Sequence, residues 1–246
     1  METNGARRGL VIIPAYNEEQ NLPGLLRRLR QLYPQLEVLV VNDGSTDRTS
    51  EVALQHPVRL LALPCNLGVG GAVQAGLMVA WQEHYDFAIQ MDGDGQHRPE
   101  DIAGLLAALD RSGSDMVVGS RFLATAGYQS TAARRVGIRF FSRLLSALCR
   151  TPITDATSGF RIWNRRAIAV LAQHYPEDYP EVEAILLLHR AGLRISEVSV
   201  NMRGRAAGAS SIGWMAAFSY MIKTPLAILM SLLRKREPGP SREEAM

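Results

Sequence analysis

FAIQMDGDGQH, running from Phe87 to His97, is the stretch on which the fold turns. An apolar run of strand character, Phe87–Met91, stops at two carboxylates one residue apart, Asp92 and Asp94. Gly93 and Gly95 allow a tight turn, and Gln96 adds a third side-chain oxygen. In parallel sheets ligands gather beyond the carboxyl ends of the strands. A strand that ends this way therefore predicts a ligand-binding edge of an α/β sheet. Taken alone, the turn has two readings. It is either a hard-oxygen cradle for Mg²⁺ or Mn²⁺ with positions left for diphosphate oxygens, or a solvated turn built from the commonest turn residues.

Working outward, residues 9–120 alternate short apolar runs with amphipathic ones, the pattern of strand–helix–strand units around a mostly parallel sheet. GLVIIPAY is the first strand, and Leu22, Leu25, Leu26, Leu29 and Leu32 line one face of a helix predicted over Glu18–Leu32. LEVLVVND, Leu36–Asp43, is apolar enough for a strand covered on both faces. Further strands are predicted at Val58–Ala62, Phe87–Met91 and Met116–Gly119, with helices at Thr46–Gln55, Gly70–Trp81 and Glu100–Arg111. Beyond Arg121 come a mobile loop over Ala124–Ala133, a helix from Arg135 to Leu148 and a strand at Phe160–Asn164. Helices at Arg165–Gln173 and Glu181–Ala191 and a strand at Arg194–Val200 follow. The strand ends collect polar groups at one edge: Pro14-Ala15-Tyr16-Asn17-Glu18-Glu19 after the first, Asn42-Asp43-Gly44-Ser45-Thr46-Asp47 after the second, and Asn66-Leu67-Gly68-Val69-Gly70-Gly71 after the third. At such an edge a carboxylate like Asp43 accepts from a base or ribose hydroxyl, Tyr16 covers an aromatic base, and a glycine turn brings backbone close to the ligand.

The net charge of +3 conceals an uneven distribution. Residues 1–120 hold 9 arginines against 15 acids, residues 121–166 hold 9 arginines against the single acid Asp155, and residues 167–246 are near balance with 9 basic and 8 acidic residues. The central arginine belt suits phosphate, because guanidinium offers a fixed fork of donors. Nucleic acid is excluded as partner, since the belt has neither aromatic interleaving nor helix-turn-helix or zinc-finger spacing. Cys65 and Cys149 show no metal-ligand spacing and read as structural thiols in a reducing compartment. METNGARRGL reaches the first strand without a long apolar stretch, which predicts no secretory signal and a cytoplasmic chain.

VIIPAYNEE, VVNDGSTD, NLGVGGA, QMDGDGQHRPED and GSR, in that order, resemble the inverting family 2 glycosyltransferases, and TDATSGFR resembles their polyprenyl-phosphate, dolichol-phosphate mannosyltransferase-like branch. The resemblance covers about Val11–Ile212. It implies an A-type glycosyltransferase fold, a Rossmann-like mixed, mostly parallel sheet flanked by helices. Pro14, Tyr16, Glu18 and Asp43 would lie around the donor nucleotide with Asn66 and Gly68 beside them, and Asp92, Asp94 and Gln96 would lie at the metal. Arg121, Arg134, Arg135 and Arg205 are implied for the donor diphosphate and the acceptor phosphate. The implied reaction moves a sugar, with inversion, from a GDP- or UDP-linked donor to a dolichyl or undecaprenyl phosphate. Two departures stand out: Asn42-Asp43 replaces the family's paired aspartates, and Ser211 stands where a late lysine is usual, which leaves that loop to Arg205 with Arg203.

A lipid monophosphate is largely a dianion at neutral pH and needs little help from a base. That fits a chain with no Ser/His/Asp set, in which His97 reads as a group behind the metal turn. Asp155 and Glu183 are the acids with open roles. Asp155 either orients an arginine, binds a sugar hydroxyl, acts as a base or forms a structural ion pair; Glu183 opens an apolar helix and resembles an acid on the family's acceptor side. A hydroxyl-directed transferase acting on a glycolipid or polysaccharide would need one of them as base. A non-catalytic nucleotide-sugar-binding membrane partner would not need Asp92, Asp94 and Gln96 intact, and a dehydrogenase is excluded by PAYNEE where a GxGxxG turn would stand. The domain organisation expected is a catalytic domain over 1–211, a membrane-associating segment over 212–236 and a disordered tail over 237–246. Within Ile212–Leu233 the apolar length suffices for a span, but Lys223 and Pro225 favour a bent segment in the interface, with Arg234-Lys235-Arg236 on anionic lipid; packing on the catalytic domain is the alternative. The protein would then be peripheral on the cytoplasmic side of a membrane, as a homo-oligomer or beside a separate membrane subunit.

Overall fold

The computed structural model describes residues 7–123, 132–176 and 180–202, with the side chains of the fifth helix described from Gly137 onward. Strands are β1 (Gly9–Ala15), β2 (Glu37–Asn42), β3 (Arg59–Ala62), β4 (Phe87–Gln90), β5 (Met116–Ser120), β6 (Arg161–Asn164) and β7 (Ile195–Ser199). Helices are α1 (Leu22–Leu32), α2 (Thr49–Leu54), α3 (Gly68–Gln82), α4 (Ile102–Ser112), α5 (Ala132–Cys149), α6 (Arg165–His174) and α7 (Pro180–Arg190). The strands form one sheet in the order β3-β2-β1-β4-β6-β5-β7, in which β6 alone runs against its neighbours β4 and β5.

Alternation along the strands explains the two-layer cover. Leu10 and Ile12 of β1 enter a core with α3, α6 and α7, while Val11 and Ile13 enter a second core with the leucines of α1 and with Ile102, Leu105 and Leu109 of α4. Each fully buried leucine on such a face contributes about 2 kcal/mol of transfer free energy. The predicted mixed sheet is thus observed, and its one reversed strand has a consequence for the site. Because β6 is antiparallel, its beginning and not its end lies at the carboxyl edge of β4, with Arg161 opposite Gln90. The loop before β6 is thereby delivered to the same edge as the loops after β1, β2, β4 and β5.

Helix boundaries depart from the sequence expectation where turns and side chains capture backbone N–H groups. The first helix begins at Leu22 and not Glu18, since the Glu18 carbonyl accepts the N–H groups of Asn21 and Leu22 in a turn ahead of Pro23. The second begins at Thr49 and not Thr46, since Thr46 N–H is held by Asn17 Oδ1 and Thr49 N–H by Asp47 Oδ1. Cys149 is buried as expected of a structural thiol, whereas Cys65, on the loop after β3, is exposed. Among the described residues no helix is long and apolar enough to cross a membrane. The loop expected over Ala124–Ala133 falls largely outside the described residues, as do Arg203, Arg205, the Ile212–Leu233 segment and the tail; the side chains of Arg134 and Arg135 do so as well.

Candidate active site

On the β1–β2–β3 side, the edge is built by side chains that tie loops to backbone. Asn17 adopts a left-handed conformation, φ 55°, and its Oδ1 accepts from Thr46 N–H at 2.9 Å while its own N–H donates to Ser45 Oγ at 2.9 Å. Asp43 is 3% exposed; its Oδ1 accepts Leu67 N–H at 2.7 Å, and its N–H donates to the Ala15 carbonyl at 2.9 Å. Gly44, φ +69°, is the turn between them, and a methyl there would stand 2.7 Å from backbone atoms of both Cys65 and Asn66. Only glycine fits such a turn. Asn66 Oδ1 accepts Gly68 N–H at 3.0 Å, and Glu18 Oε2 accepts from Asn21 Nδ2 at 2.6 Å. Tyr16, 47% exposed, lies at the end of this wall, and Pro14 is buried in β1. Pro14, Tyr16, Glu18, Asp43, Asn66 and Gly68 therefore share one edge.

The acidic turn sits at the middle of that edge. Gly93 N–H donates to the Pro14 carbonyl at 3.2 Å, docking the turn on the end of β1. Asp94 Oδ1 accepts Gln96 N–H at 3.0 Å, and Gly95, φ +74°, closes the turn with open space where a side chain would be. Behind it His97 is 1% exposed, stacked on Phe160 with ring centroids 4.9 Å apart and planes 13° apart. Its Nδ1 accepts Asp92 N–H at 3.0 Å, which leaves the proton on Nε2. Burial, opposed by the Asp94 charge, pushes the imidazole down to about 4, so the ring is neutral at pH 7. Among the described residues no group of three or more His, Cys, Asp or Glu side chains is placed to hold a metal. The oxygen set is instead two half-buried carboxylates and an amide on a turn with open space at Gly95, which fits a hard cation whose remaining positions are filled by a ligand and not by the protein.

Beyond β5 the chemistry changes to buried guanidinium. Arg121 is 7% exposed and Asp155 is fully buried; Arg121 Nε donates to Asp155 Oδ2 at 2.6 Å, Nη2 donates to Oδ1 at 2.7 Å, and the Arg121 backbone N–H reaches Oδ2 at 3.1 Å. Thr157 Oγ1 accepts from the same Nη2 at 2.8 Å. Of the four roles open to Asp155, the geometry shows a buried ion pair with Arg121, the contact that both the arginine-orienting and the structural reading require. A cavity of about 460 Å³ adjoins this pair, lined by Phe122, Ile138, Arg139, Ser142, Arg143, Ser146, Ile153 and Thr154.

Two charged groups that sequence reasoning passed over lie near these residues. Arg161 is fully buried, donates to the carbonyls of Ser158 and Ala156 at 2.7 and 3.1 Å, and leaves Nη1 without a partner among the described residues. Its signal was a lone arginine opening an apolar strand. Glu181 opens α7; burial pushes its carboxyl up, Arg161 and Arg121 oppose this, and Asp92 reinforces it, so Glu181 lies within the field of the site. Glu183 is half-buried two residues on in the same turn, about 200° around an ideal helix from Glu181. The burial of Tyr175, eased by Arg161, raises its phenol as well.

Residues 10–171 match the model of glycosyl transferase family 2. The chain is 32% identical over 216 residues to a polyprenol monophosphomannose synthase of Mycolicibacterium smegmatis, covering 84% of this chain and 81% of the relative. It is 33% identical over 214 residues to an undecaprenyl-phosphate mannosyltransferase of Micrococcus luteus, covering 83% and 87%. Among solved structures, glucosyl-3-phosphoglycerate synthase of Mycobacterium tuberculosis, in complex with Mn²⁺, UDP and glucosyl-3-phosphoglycerate, superposes with a TM-score of 0.68 at 20% identity, covering 92% of this chain and 80% of that one. That likeness establishes the A-type architecture of the sheet and its flanking helices. On the family match and the two mannosyl-transferring relatives together, the chain belongs to glycosyl transferase family 2.

Proposed function

We propose that this protein transfers a hexose, with inversion, from a nucleotide-sugar to a polyprenyl phosphate at a membrane surface. The relatives named above act on polyprenol and undecaprenyl phosphate, and a third, from Methanococcus voltae, is a UDP-N-acetylglucosamine–dolichyl-phosphate transferase 29% identical to this chain. The single observation that carries the reading is the state of Asp155. Both its oxygens are taken by Arg121 in a buried pair, so Asp155 is committed to a guanidinium, and the acceptor that suits it is one that arrives already ionised.

Each wall of the edge has a task. Tyr16, Asp43 and the Gly44 turn bound the place for the nucleotide, with Pro14, Glu18, Asn66 and Gly68 fixing their loops. Asp92, Asp94 and Gln96 would hold Mg²⁺ or Mn²⁺, as the Mn²⁺-bound neighbour suggests. When bound, such a cation neutralises charge growing on the departing diphosphate. Arg121, kept at a fixed angle by Asp155, offers positive potential on the far side of the acidic turn, and Arg134, Arg135 and Arg205 are assigned to the phosphates with it. The acceptor dianion needs orientation more than activation. The cavity beside Arg121, with Phe122, Ile138 and Ile153 next to Arg139 and Arg143, offers apolar and cationic groups together, as a phosphorylated lipid requires. The Ile212–Arg236 segment is assigned to the membrane surface on its composition.

The test supplies polyprenyl phosphate in detergent, a panel of radiolabelled GDP- and UDP-sugars, and Mg²⁺ or Mn²⁺. Label should enter the lipid phase and chelator should stop it. Label that enters only sugar-hydroxyl acceptors would overturn the reading.

A further inference from the structure

Gly159 is a glycine for reasons of space. Its φ lies outside the left-handed region, so φ does not require glycine there. A methyl added there would nevertheless stand 3.1 Å from both carboxylate oxygens of Asp92 and from Gln90 Nε2. Asp92 therefore rests directly on the backbone at Gly159. The neighbouring residues each grip another part of the site. Phe160 stacks on His97, whose Nδ1 holds the Asp92 N–H. Asp155 holds Arg121 through both oxygens, and Arg161 ties down the carbonyls of Ala156 and Ser158 between these contacts. The upstream end is anchored by Glu197 of β7, which accepts from Thr154 N–H at 2.8 Å, Thr154 Oγ1 at 2.7 Å and Asp155 N–H at 3.0 Å.

We infer that Asp155–Arg161 is a positioning bracket that sets the separation between the Asp92 carboxylate and the Arg121 guanidinium, with Gly159 as the seat of the carboxylate. A group that neutralises one end of a diphosphate and a group that meets the other act together only if their spacing is held to a fraction of an ångström. One short length of chain touching both is the simplest device for this, and the buried Arg161 makes that length stiff. None of the bracket residues touches the reacting atoms; their effect passes through Asp92 and Arg121. The inference rests on the metal role assigned above to Asp92.

The experiment measures Mn²⁺ binding to the purified full-length protein by the loss of the free-ion paramagnetic resonance signal, with no donor or acceptor present. Gly159→Ala should keep the thermal transition and metal-free nucleotide binding of the parent but weaken Mn²⁺ by about tenfold or more, the usual size of effect when a support behind a ligand is moved. In turnover the same variant should lower kcat and leave the acceptor KM unchanged. Gly104→Ala, where nothing lies within 4 Å, should match the parent throughout. Phe160→Leu keeps apolar volume but removes the stack on His97, and it should weaken Mn²⁺ about threefold or more, which tests the bracket even if Gly159→Ala misfolds. Parent-like Mn²⁺ affinity in folded Gly159→Ala, or in Phe160→Leu, overturns the bracket while leaving the metal reading intact. A parent protein that binds no Mn²⁺ either alone or with GDP or UDP added overturns both.

Discussion

The two halves of the binding edge are built by different physics. Along β1, β2 and β3 every strand is parallel, and the loops are fixed by neutral or singly charged side chains that hydrogen-bond backbone: Asn17 to Thr46, Asp43 to Leu67, Asn66 to Gly68. Along β4, β6, β5 and β7 the sheet reverses once, and the loops are fixed by charged side chains, arginine among them: Arg121 on Asp155, Arg161 on two carbonyls, Glu197 on Thr154 and Asp155. A wall of backbone contacts presents a shaped, weakly charged surface, suited to a base and ribose. A wall of buried ions presents a fixed potential, suited to phosphates.

The largest effect expected on transfer falls on the turn where the halves meet. Asp94→Ala should reduce transfer about 100-fold or more, equivalent to about 3 kcal/mol of barrier, while shifting unfolding free energy by less than about 1 kcal/mol, because Asp94 is half-buried. Transfer within tenfold of the parent would break the assignment of the acidic turn. Next comes Asp155→Ala, which strands Arg121 without its partner and should cost about 3–5 kcal/mol in urea denaturation. Replacing both residues together, Arg121→Met with Asp155→Leu, should recover much of that stability but not the transfer activity. A single-variant cost under about 1 kcal/mol would show that buried charge does not organise the second half. Gly44→Ala should cost about 1–3 kcal/mol for its φ of +69° alone, with nucleotide affinity falling because the clash lies between the two loops of the first half.

The first half was the more legible in the sequence, and the reason is locality. Each of its devices lies within a few residues of a strand end, so DGSTD or NLGVGG announces its own turn. Helix starts were misjudged there because Asn17 and Asp47 capture backbone from a neighbouring loop, and Asn17 reaches Thr46 across 29 positions. In the second half the acidic turn was legible, being local, and so was the arginine belt as a composition. What could not be read was the pairing. Arg121 and Asp155 are 34 positions apart and meet only because β6 reverses. The same reversal brings Gly159 under Asp92 and puts Arg161 opposite Gln90, neither of which any periodicity encodes. Glu181 sits two residues before Glu183 in the first turn of α7, and its coupling to Arg161, Arg121 and Asp92 depends on contacts far apart in sequence.

The smallest effect separates the halves by the sign of their pH response. In the first half Asp47 loses solvation, but the hydrogen bonds from the Thr49 hydroxyl, Thr49 N–H and Glu19 N–H outweigh that loss and hold its carboxyl below the ordinary 3.8. A lowered folded value means the group stabilises the protein above the ordinary value, and that stabilisation is lost as pH falls through the folded one. In the second half Glu197 moves the other way. Burial raises it above the ordinary 4.5 despite three hydrogen bonds from Thr154 and Asp155, so its contribution is complete below 4.5 and is lost as pH climbs through the raised value. Asp47→Asn should therefore flatten the stability profile on the acid side of 3.8, and Glu197→Gln should flatten it on the alkaline side of 4.5. Urea midpoints taken from about pH 3 to pH 8 would check both slopes. Slopes of one sign in both variants would mean that the two walls share a single electrostatic logic, and the contrast between them would then be one of topology alone.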